Sequence, residues 1–312
     1  NKGLANNYDM KIAMARIDRT RAELGYTKAD LLPAIGYGAT VNSNEKTFLP
    51  SNASASLSWE LDFWGKIRHE NRAVQNELLA SEEGRKVILS NLVSDIAISY
   101  FQLRDFDNRL LISEKTLESR KKAYDIINSR FKEGYVSEVD LVQIAQQVAI
   151  AEATIPAIQR QITNLENVIS ILLGQAPGPI QRGKSNLELQ VANTIPVSIP
   201  SLLLRNRPDV NLAERAYMAA NERIGVAQAM RFPSFNIAAF AGFGNSSISS
   251  LFDGSSYIQN ASAGVAGPIF NFGKNRRRAE IYRQIAEESR LNYQNTCLVA
   301  VAEVEQSLQN AK

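Results

Sequence analysis

The sequence predicts an α+β chain built as an internal two-fold repeat, in which short amphipathic strands alternate with very long helices. Residues 25–33 align with residues 225–233, and residues 64–68 align with residues 272–276. In both copies the order is helix, proline, strand, loop, strand, Gly-Lys-x-Arg and long helix. A repeat of this size favours a duplicated unit packed about a pseudo-axis over a short-period solenoid.

Strict alternation of apolar and polar residues over 54–63 predicts a strand with two different faces. One face carries Ala55, Leu57, Trp59, Leu61 and Phe63, and the other carries Ser54, Ser56, Ser58, Glu60 and Asp62. This is about the length that a tilted transmembrane strand needs. A soluble hairpin with one face on a core has the same alternation, so the pattern alone leaves both structures open.

The middle of the chain predicts a pair of long helices. Residues 67–131 contain no proline and one interior glycine, Gly84, and at 1.5 Å per residue they would span roughly 100 Å. Apolar residues recur there every seven positions, at Leu89, Ile96, Leu103, Leu110, Leu117, Tyr124 and Phe131. Residues 138–173 show two further seven-residue series. A sustained 3.5-residue period predicts helices that supercoil around their neighbours.

A tight turn is predicted between these helices, because Gly134 is a natural helix C-cap and Ser137 with Asp140 forms a capping-box pattern. The predicted first repeat, 1–205, contains a helix, strands 34–44 and 54–63, helix 67–131, tip 132–137, helix 138–173 and connector 174–205. The predicted second repeat, 206–312, is truncated and contains helix 207–231, strands 234–244 and 258–267, and helix 274–312.

Composition excludes several classes of function. With 35 Lys and Arg against 32 Asp and Glu, the net charge of +3 is too weak for nucleic acid to be the main partner. One cysteine, Cys297, excludes an internal disulfide, and one histidine, His69, excludes His-clustered metal sites. We therefore predict no catalytic residues, no metal site, no cofactor and no enzyme activity. No run reaches the roughly 18–20 apolar residues of a membrane-spanning helix, which leaves barrel strands open.

Residues 178–185 match the phosphate-loop pattern G-x-x-x-x-G-K-S at every specified position. That chemistry needs a strand before the loop and a helix after it, whose amides hold the phosphates. Here a heptad helix precedes the loop and a strand-like segment follows it. We interpret the match as chance; the alternative, a phosphate-loop NTPase, would lose activity on Lys184→Ala.

A basic cluster recurs at the predicted strand-to-helix junctions, at Lys66, Arg68 and Arg72 and again at Lys274, Arg276, Arg277 and Arg278. Acidic residues follow closely, and no aromatic platform for stacking nucleic-acid bases is interleaved. We interpret the cluster as a solvated collar and expect His69, which lies in it, to be exposed.

Four strands cannot close a barrel, and open sheet edges are not tolerated in lipid. If the strands cross a membrane, several chains must therefore share one barrel. The heptad helices of those chains would then form a second, helical wall.

Four motifs that occur in order along the chain carry a resemblance to a known family. Residues 58–68, Ser-Trp-Glu-Leu-Asp-Phe-Trp-Gly-Lys-Ile-Arg, are followed in the second copy by residues 267–274. Residues 200–210 precede the second repeat, and residues 130–141 form the predicted tip. These resemble the second-strand signature, its second copy, the connector and the periplasmic hairpin tip of the outer membrane factor (TolC-type outer membrane efflux protein) family, in its drug and metal efflux lipoprotein branch.

The resemblance implies an α+β membrane protein that forms a homotrimer. Each chain would give four strands to a trimeric 12-stranded β-barrel in the bacterial outer membrane, continued in the periplasm by a long coiled-coil α-barrel. The trimer would be the passive exit duct of a tripartite efflux system for drugs or metal ions. Its implied partners are a periplasmic adaptor (membrane fusion) protein, an inner-membrane transporter of the RND type and outer-membrane lipid.

The resemblance also implies roles for particular residues. The channel-lining strand face would be Ser56, Ser58, Glu60 and Asp62, and the lipid-facing residues would be Leu57, Trp59, Leu61 and Phe63. The adaptor-contact tip would be Arg130, Gly134, Tyr135, Val136, Ser137, Asp140 and Leu141. The connector 174–205 would belong to the equatorial belt. A soluble periplasmic helical scaffold is the alternative function, since it would share the heptads but lack a barrel.

Overall fold

The computed structural model describes residues 5–41, 51–183, 205–245 and 250–310. Its helices and strands alternate in the order expected of a two-fold repeat. They are α1 (Tyr8–Ala29), β1 (Ala34–Thr40), β2 (Ser51–Leu61), α2 (Lys66–Lys132), α3 (Glu138–Leu172), α4 (Pro208–Ala229), β3 (Ser234–Asn245), β4 (Tyr257–Ala266) and α5 (Lys274–Asn310).

The bounds of the helices and of β3 and β4 lie within two residues of the predicted ones, and those of β1 and β2 differ more. β2 begins three residues before the predicted start and ends at Leu61. Asp62 and Phe63 were therefore wrongly assigned to the strand. The backbone turns there: the Phe63 N–H donates to the Leu61 carbonyl at 2.9 Å, and Gly65 has a φ of 78°. Parts of the predicted strand 34–44 and connector 174–205, namely residues 42–44 and 184–204, lie outside the described residues.

The four strands form one antiparallel sheet in the order β1-β2-β3-β4. Each repeat supplies one hairpin, and the pairing of β2 with β3 joins the two repeats. In the register, Ser58 lies opposite Ala34 on β1 and Ala238 on β3, which in turn lies opposite Ser262 on β4. β1 and β4 form the two edges of this sheet, and both are exposed along their whole length.

The chain divides into two compact units. The first comprises Asn1–Ile12 and Lys86–Val197, and the second comprises Ala13–Arg85 and Ser198–Lys312.

In the first unit, the predicted heptad positions lie on the less exposed side of both helices. Every member of the α2 series is buried or half-buried, and Leu103 is completely buried. The α3 series are buried or half-buried as well. The seven-residue pattern therefore marks the packed side of this helical hairpin, as a supercoiling pair requires.

The second unit contains the sheet and the helices that flank it in sequence. Small residues are buried on α4 and α5, among them Ala219, Ala227 and Ala286, and these two helices pack together. On α1, the Thr27 hydroxyl donates to the Asn71 side chain of α2 at 2.8 Å. Alanine at the contact positions lets helix backbones approach closely, which suits a wall of parallel helices.

One helix in the described part of the chain, α3, is long and apolar enough to cross a membrane by length and composition, with a mean hydropathy of 1.3 over its best window. None of that window is buried within the chain. Apolar side chains on α3 that are exposed include Val139, Val142, Ile150, Val168 and Ile171. This helix therefore presents much apolar surface that its own chain does not cover.

Candidate conduit surface and hairpin tip

The sheet has one mainly polar face, on which most side chains are small. Ser56, Ser58 and Glu60 point to the same side of β2, as predicted from their alternation. The register extends this face across the sheet to Gly36, Gly38, Asn52, Asn236, Gly242, Asn260, Ser262 and Gly264. It also places Phe240, opposite Ser56, and Ile258, opposite Gly242, on the same face. The signal for these was present only in the pairing, because glycine and alanine blur the alternation of the other strands.

The opposite face is apolar. Leu57 lies on it in one row of the register with Ile35 on β1 and Ala261 on β4. Trp59 lies on it in a second row with Ile237 on β3. The Trp59 indole N–H donates to the Leu31 carbonyl at 3.0 Å, which satisfies its one polar group. A sheet with an apolar and a small, polar face can separate lipid from a water-filled space.

Asp62 does not lie on the polar face of β2 but holds the start of α2. Its carboxylate accepts hydrogen bonds from the backbone N–H groups of Ile67 and Arg68, both at 3.0 Å, and from the Arg68 side chain at 3.0 Å. Burial alone would raise the pKa of Asp62, but these hydrogen bonds and the Arg68 charge lower the pKa below its ordinary value. This residue is therefore a helix cap, and its assignment to the strand face was wrong.

Glu60 and Lys66 form an ion pair across the same junction, with 2.5 Å between Lys66 Nζ and Glu60 Oε1. Phe63, assigned to the lipid face of a strand, lies beyond the strand but keeps an apolar contact, since its ring lies 4.7 Å from that of Phe235 on β3. The end of the strand hairpin is thus held by the Glu60–Lys66 ion pair and by the packing of Phe63 against Phe235.

His69 is half-buried, and the expectation that it is exposed was wrong. Its Nδ1 lies 2.7 Å from Glu222 Oε2 on α4. A Cβ added to Gly225 would lie 2.6 Å from the imidazole ring, so the glycine leaves the space that the ring fills. Arg223 on the same helix pairs with Glu77 on α2 at 2.7 Å. These contacts fix the start of α2 against α4.

In the described part of the phosphate-loop match, residues 178–183, backbone amides and the arginine side chain bind side chains of the same chain and not a phosphate. The Ile180 N–H donates to Glu166, and the Gly183 N–H donates to the Tyr100 hydroxyl at 2.7 Å. The Arg182 side chain pairs with Asp107 at 3.1 Å and with Glu166, and these carboxylates raise the pKa of the guanidinium. Helix α3 precedes the loop, so neither its setting nor its amides suit a phosphate. Lys184 and Ser185 lie outside the described residues.

The hairpin tip has the two predicted caps. At the end of α2 the Gly134 N–H donates to Phe131, the Tyr135 N–H donates to Arg130, both at 2.9 Å, and Gly134 has a φ of 80°. At the start of α3 the Ser137 and Asp140 side chains form the reciprocal capping box. The tip is thus a short turn with a capped helix end on each side.

The predicted tip residues differ in what they can offer a partner. Tyr135 is 77% exposed, and nothing lies within 4 Å of a Cβ added to Gly134. Val136 and Leu141 are half-buried. Ser137 and Asp140 are exposed but engaged in the cap. Tyr135 is therefore the large side chain of the turn that is most accessible to a partner.

The sequence matches the family described as "Outer membrane efflux protein" over residues 1–175 and 199–312. The chain belongs to this family. The chain therefore resides in the outer membrane. It shares its fold, a four-stranded sheet with long helices, with outer membrane efflux proteins of known structure.

Several outer membrane efflux proteins are similar to the whole chain. The cation efflux system protein CusC of Escherichia coli (strain K12) is 28% identical over 313 residues, which is 98% of this chain and 68% of CusC. The solvent efflux pump outer membrane protein SrpC of Pseudomonas putida is 30% identical over 322 residues, 99% of this chain and 66% of SrpC. A crystal structure of CusC aligns with a TM-score of 0.85 at 28% identity, and covers 99% of this chain and 73% of that one. A membrane protein from Pseudomonas aeruginosa aligns with a TM-score of 0.90 at 26% identity, over 99% of this chain and 75% of that one.

Proposed function

We propose that the chain is the outer-membrane exit duct of a tripartite efflux system. The observation that carries this is the two-faced sheet with two exposed edge strands, β1 and β4. Lipid does not hydrogen-bond a strand edge, so in a membrane each edge must pair with another chain. Three copies would close a 12-stranded barrel, and the helices would continue it as a coiled-coil α-barrel.

The proposed duct conducts small molecules passively, because its polar face offers serine, asparagine and glycine rather than a binding constellation. The relatives differ in cargo: CusC is named for cations and SrpC for solvents. Drugs or metal ions therefore remain the proposed cargo class. The proposed energy source is an inner-membrane transporter of the RND type, joined to the duct by a periplasmic adaptor.

Cysteine accessibility tests the assignment of the two sheet faces. In a Cys297→Ser background, Ser58→Cys would react with a charged, membrane-impermeant thiol reagent and lower the single-channel conductance of the purified protein in a planar bilayer. Leu57→Cys, the neighbouring residue on the opposite face, serves as the matched control and would leave the conductance unchanged.

Equal effects at positions 57 and 58 would contradict the proposed faces. A protein that purifies without detergent and forms no channel would instead support a soluble helical scaffold, the second candidate function.

We propose further that the tip binds the adaptor, chiefly through Tyr135. Tyr135→Asp would abolish drug or metal resistance in a complementation assay while leaving the trimer intact in detergent, because a charge would replace an exposed ring at the contact. Tyr8→Asp is the control, since Tyr8 is a similarly exposed tyrosine in the same compact unit. Normal resistance in the Tyr135 variant would refute the assignment.

A further inference from the structure

A cavity of about 390 Å³ lies in the second unit where the strands meet the helices. Its wall combines apolar, cationic and acidic side chains, and the acidic ones are Glu60 and Asp62. Trp64 and Phe232 supply apolar surface, while Lys66 on α2 and Lys274 and Arg278 on α5 supply cationic groups. The two rings stack with centroids 4.6 Å apart, which makes a flat apolar side to the cavity.

The cationic groups of this cavity are unequally paired. Lys66 is neutralised by Glu60, and the nearby Asp62 is occupied by Arg68. Among the residues that the structure describes, neither Lys274 nor Arg278 has a carboxylate partner; the Arg278 guanidinium contacts the Met230 sulfur at 3.2 Å. Two positive charges on one wall are therefore left for an anion from outside the chain.

The position of these two cations does not serve the helix that carries them. Both belong to the first five residues of α5, and no acidic residue stands in its first turn. Cations at this end of a helix oppose its dipole. The arrangement becomes favourable when an anion is held between them.

Exposed aromatic side chains line the cavity, at Phe63 and Trp64, or flank its lining residue Asn271 in sequence, at Phe270 and Phe272. Phe63, Trp64, Phe270 and Phe272 all lie at the strand-to-helix junctions of the two repeats, and Phe272 is 87% exposed. The Trp64 indole N–H is satisfied by the Pro233 carbonyl at 2.8 Å. Aromatic belts of this kind occupy the headgroup level of a membrane. In the proposed barrel, the cavity would therefore lie at the membrane surface on the side of the helices.

We propose that this cavity binds the headgroup of an anionic phospholipid from the leaflet on the helix side. Lys274 and Arg278 bind the phosphate, for which the planar guanidinium offers two parallel donors and the ammonium a point charge. The rings of Trp64 and Phe232 contact the glycerol and the first methylenes of the acyl chains. This inference rests on the proposed function, because it requires the sheet to stand in a lipid bilayer.

Lipid retention of the purified protein tests the proposal. The protein in detergent is incubated with phosphatidylglycerol or phosphatidylcholine, and bound lipid is counted by native mass spectrometry. We expect the wild type to retain phosphatidylglycerol in preference, and the double variant Lys274→Gln/Arg278→Gln to bind it at least ten-fold more weakly. The double variant Arg276→Gln/Arg277→Gln removes the same charge from exposed residues of the same helix that do not line the cavity, and should bind like the wild type.

Each other outcome overturns the site. Equal losses in both double variants would mean a general effect of charge. Equal retention of both lipids would mean no headgroup recognition, and full competition by inorganic phosphate would mean a free-anion site. Planar-bilayer conductance of the same preparations separates the two hypotheses. If the Lys274→Gln/Arg278→Gln variant forms conducting channels and retains phosphatidylglycerol like the wild type, this site alone is refuted. If the wild type forms no channels, the duct is refuted.

Discussion

At the strand-to-helix junction, single residues have structural roles that the alternation pattern does not predict. Asp62 continues the polar series of β2 in sequence, yet its carboxylate binds the first backbone N–H groups of α2. The alternation could predict the faces of Ser56, Leu57 and Ser58 because period two is a local property of a strand. It could not predict where the strand ends, since the turn is set by Gly65 and by the Asp62 cap.

The Asp62 cap predicts a dependence of stability on pH. Because the folded pKa of Asp62 is lowered, its contribution to stability is fully present above the unfolded pKa of about 3.9 and is lost as the pH falls through the folded pKa. The melting temperature of the wild type in detergent should exceed that of Asp62→Asn at pH 6, and the difference should shrink below about pH 4. A difference that is constant from pH 6 to pH 2 would contradict the role of the carboxylate.

At the scale of the elements, the long helices follow directly from the heptad pattern, whereas their docking partners do not. The series through Leu103 marks the packed side of α2 correctly, because helical periodicity is encoded within one segment. The contact of His69 with Glu222 joins residues from different repeats, and no pattern within one segment of the sequence predicts it. A glycine inside a helix, at Gly225, was the one available signal of a close approach.

The close approach at Gly225 predicts a coupled pair of substitutions. Gly225→Ala should destabilise the protein by about 1–2 kcal/mol, because the new methyl group overlaps the His69 ring by more than the gain in helix propensity offsets. In a His69→Ala background the same change should be neutral or stabilising. A double-mutant cycle on melting temperatures measures this coupling, and additive effects would show that the ring and the glycine do not interact.

The exposed apolar surface of α3 belongs to the scale of the whole molecule. Within one chain it is left uncovered, and contiguous exposed apolar surface of this kind marks an interaction site. In the proposed α-barrel this surface packs against neighbouring copies. The sequence patterns alone could not separate this from a soluble scaffold, because both arrangements need the same heptads.

Trimer assembly tests whether the exposed apolar face of α3 is buried between copies. Ile150→Asp would place a charge on the exposed apolar face of α3 and should lower the trimeric fraction at least ten-fold, since an unpaired charge in an interface costs several kcal/mol. Thr163→Asp, at an exposed polar position about 140° around α3 from Ile150, should assemble normally. Size-exclusion chromatography with light scattering measures the trimer, and equal trimer fractions would refute burial of this face.

The pairing of β2 with β3 has a consequence for biogenesis. β2 leaves the ribosome before the long helical hairpin, and its partner β3 emerges only after it. The helices form from local contacts and can do so early, whereas the sheet must wait for a distant segment. A nascent chain can therefore form the helical hairpin before it can form the sheet, and entry of the sheet into a bilayer must wait until β3 and β4 have been made.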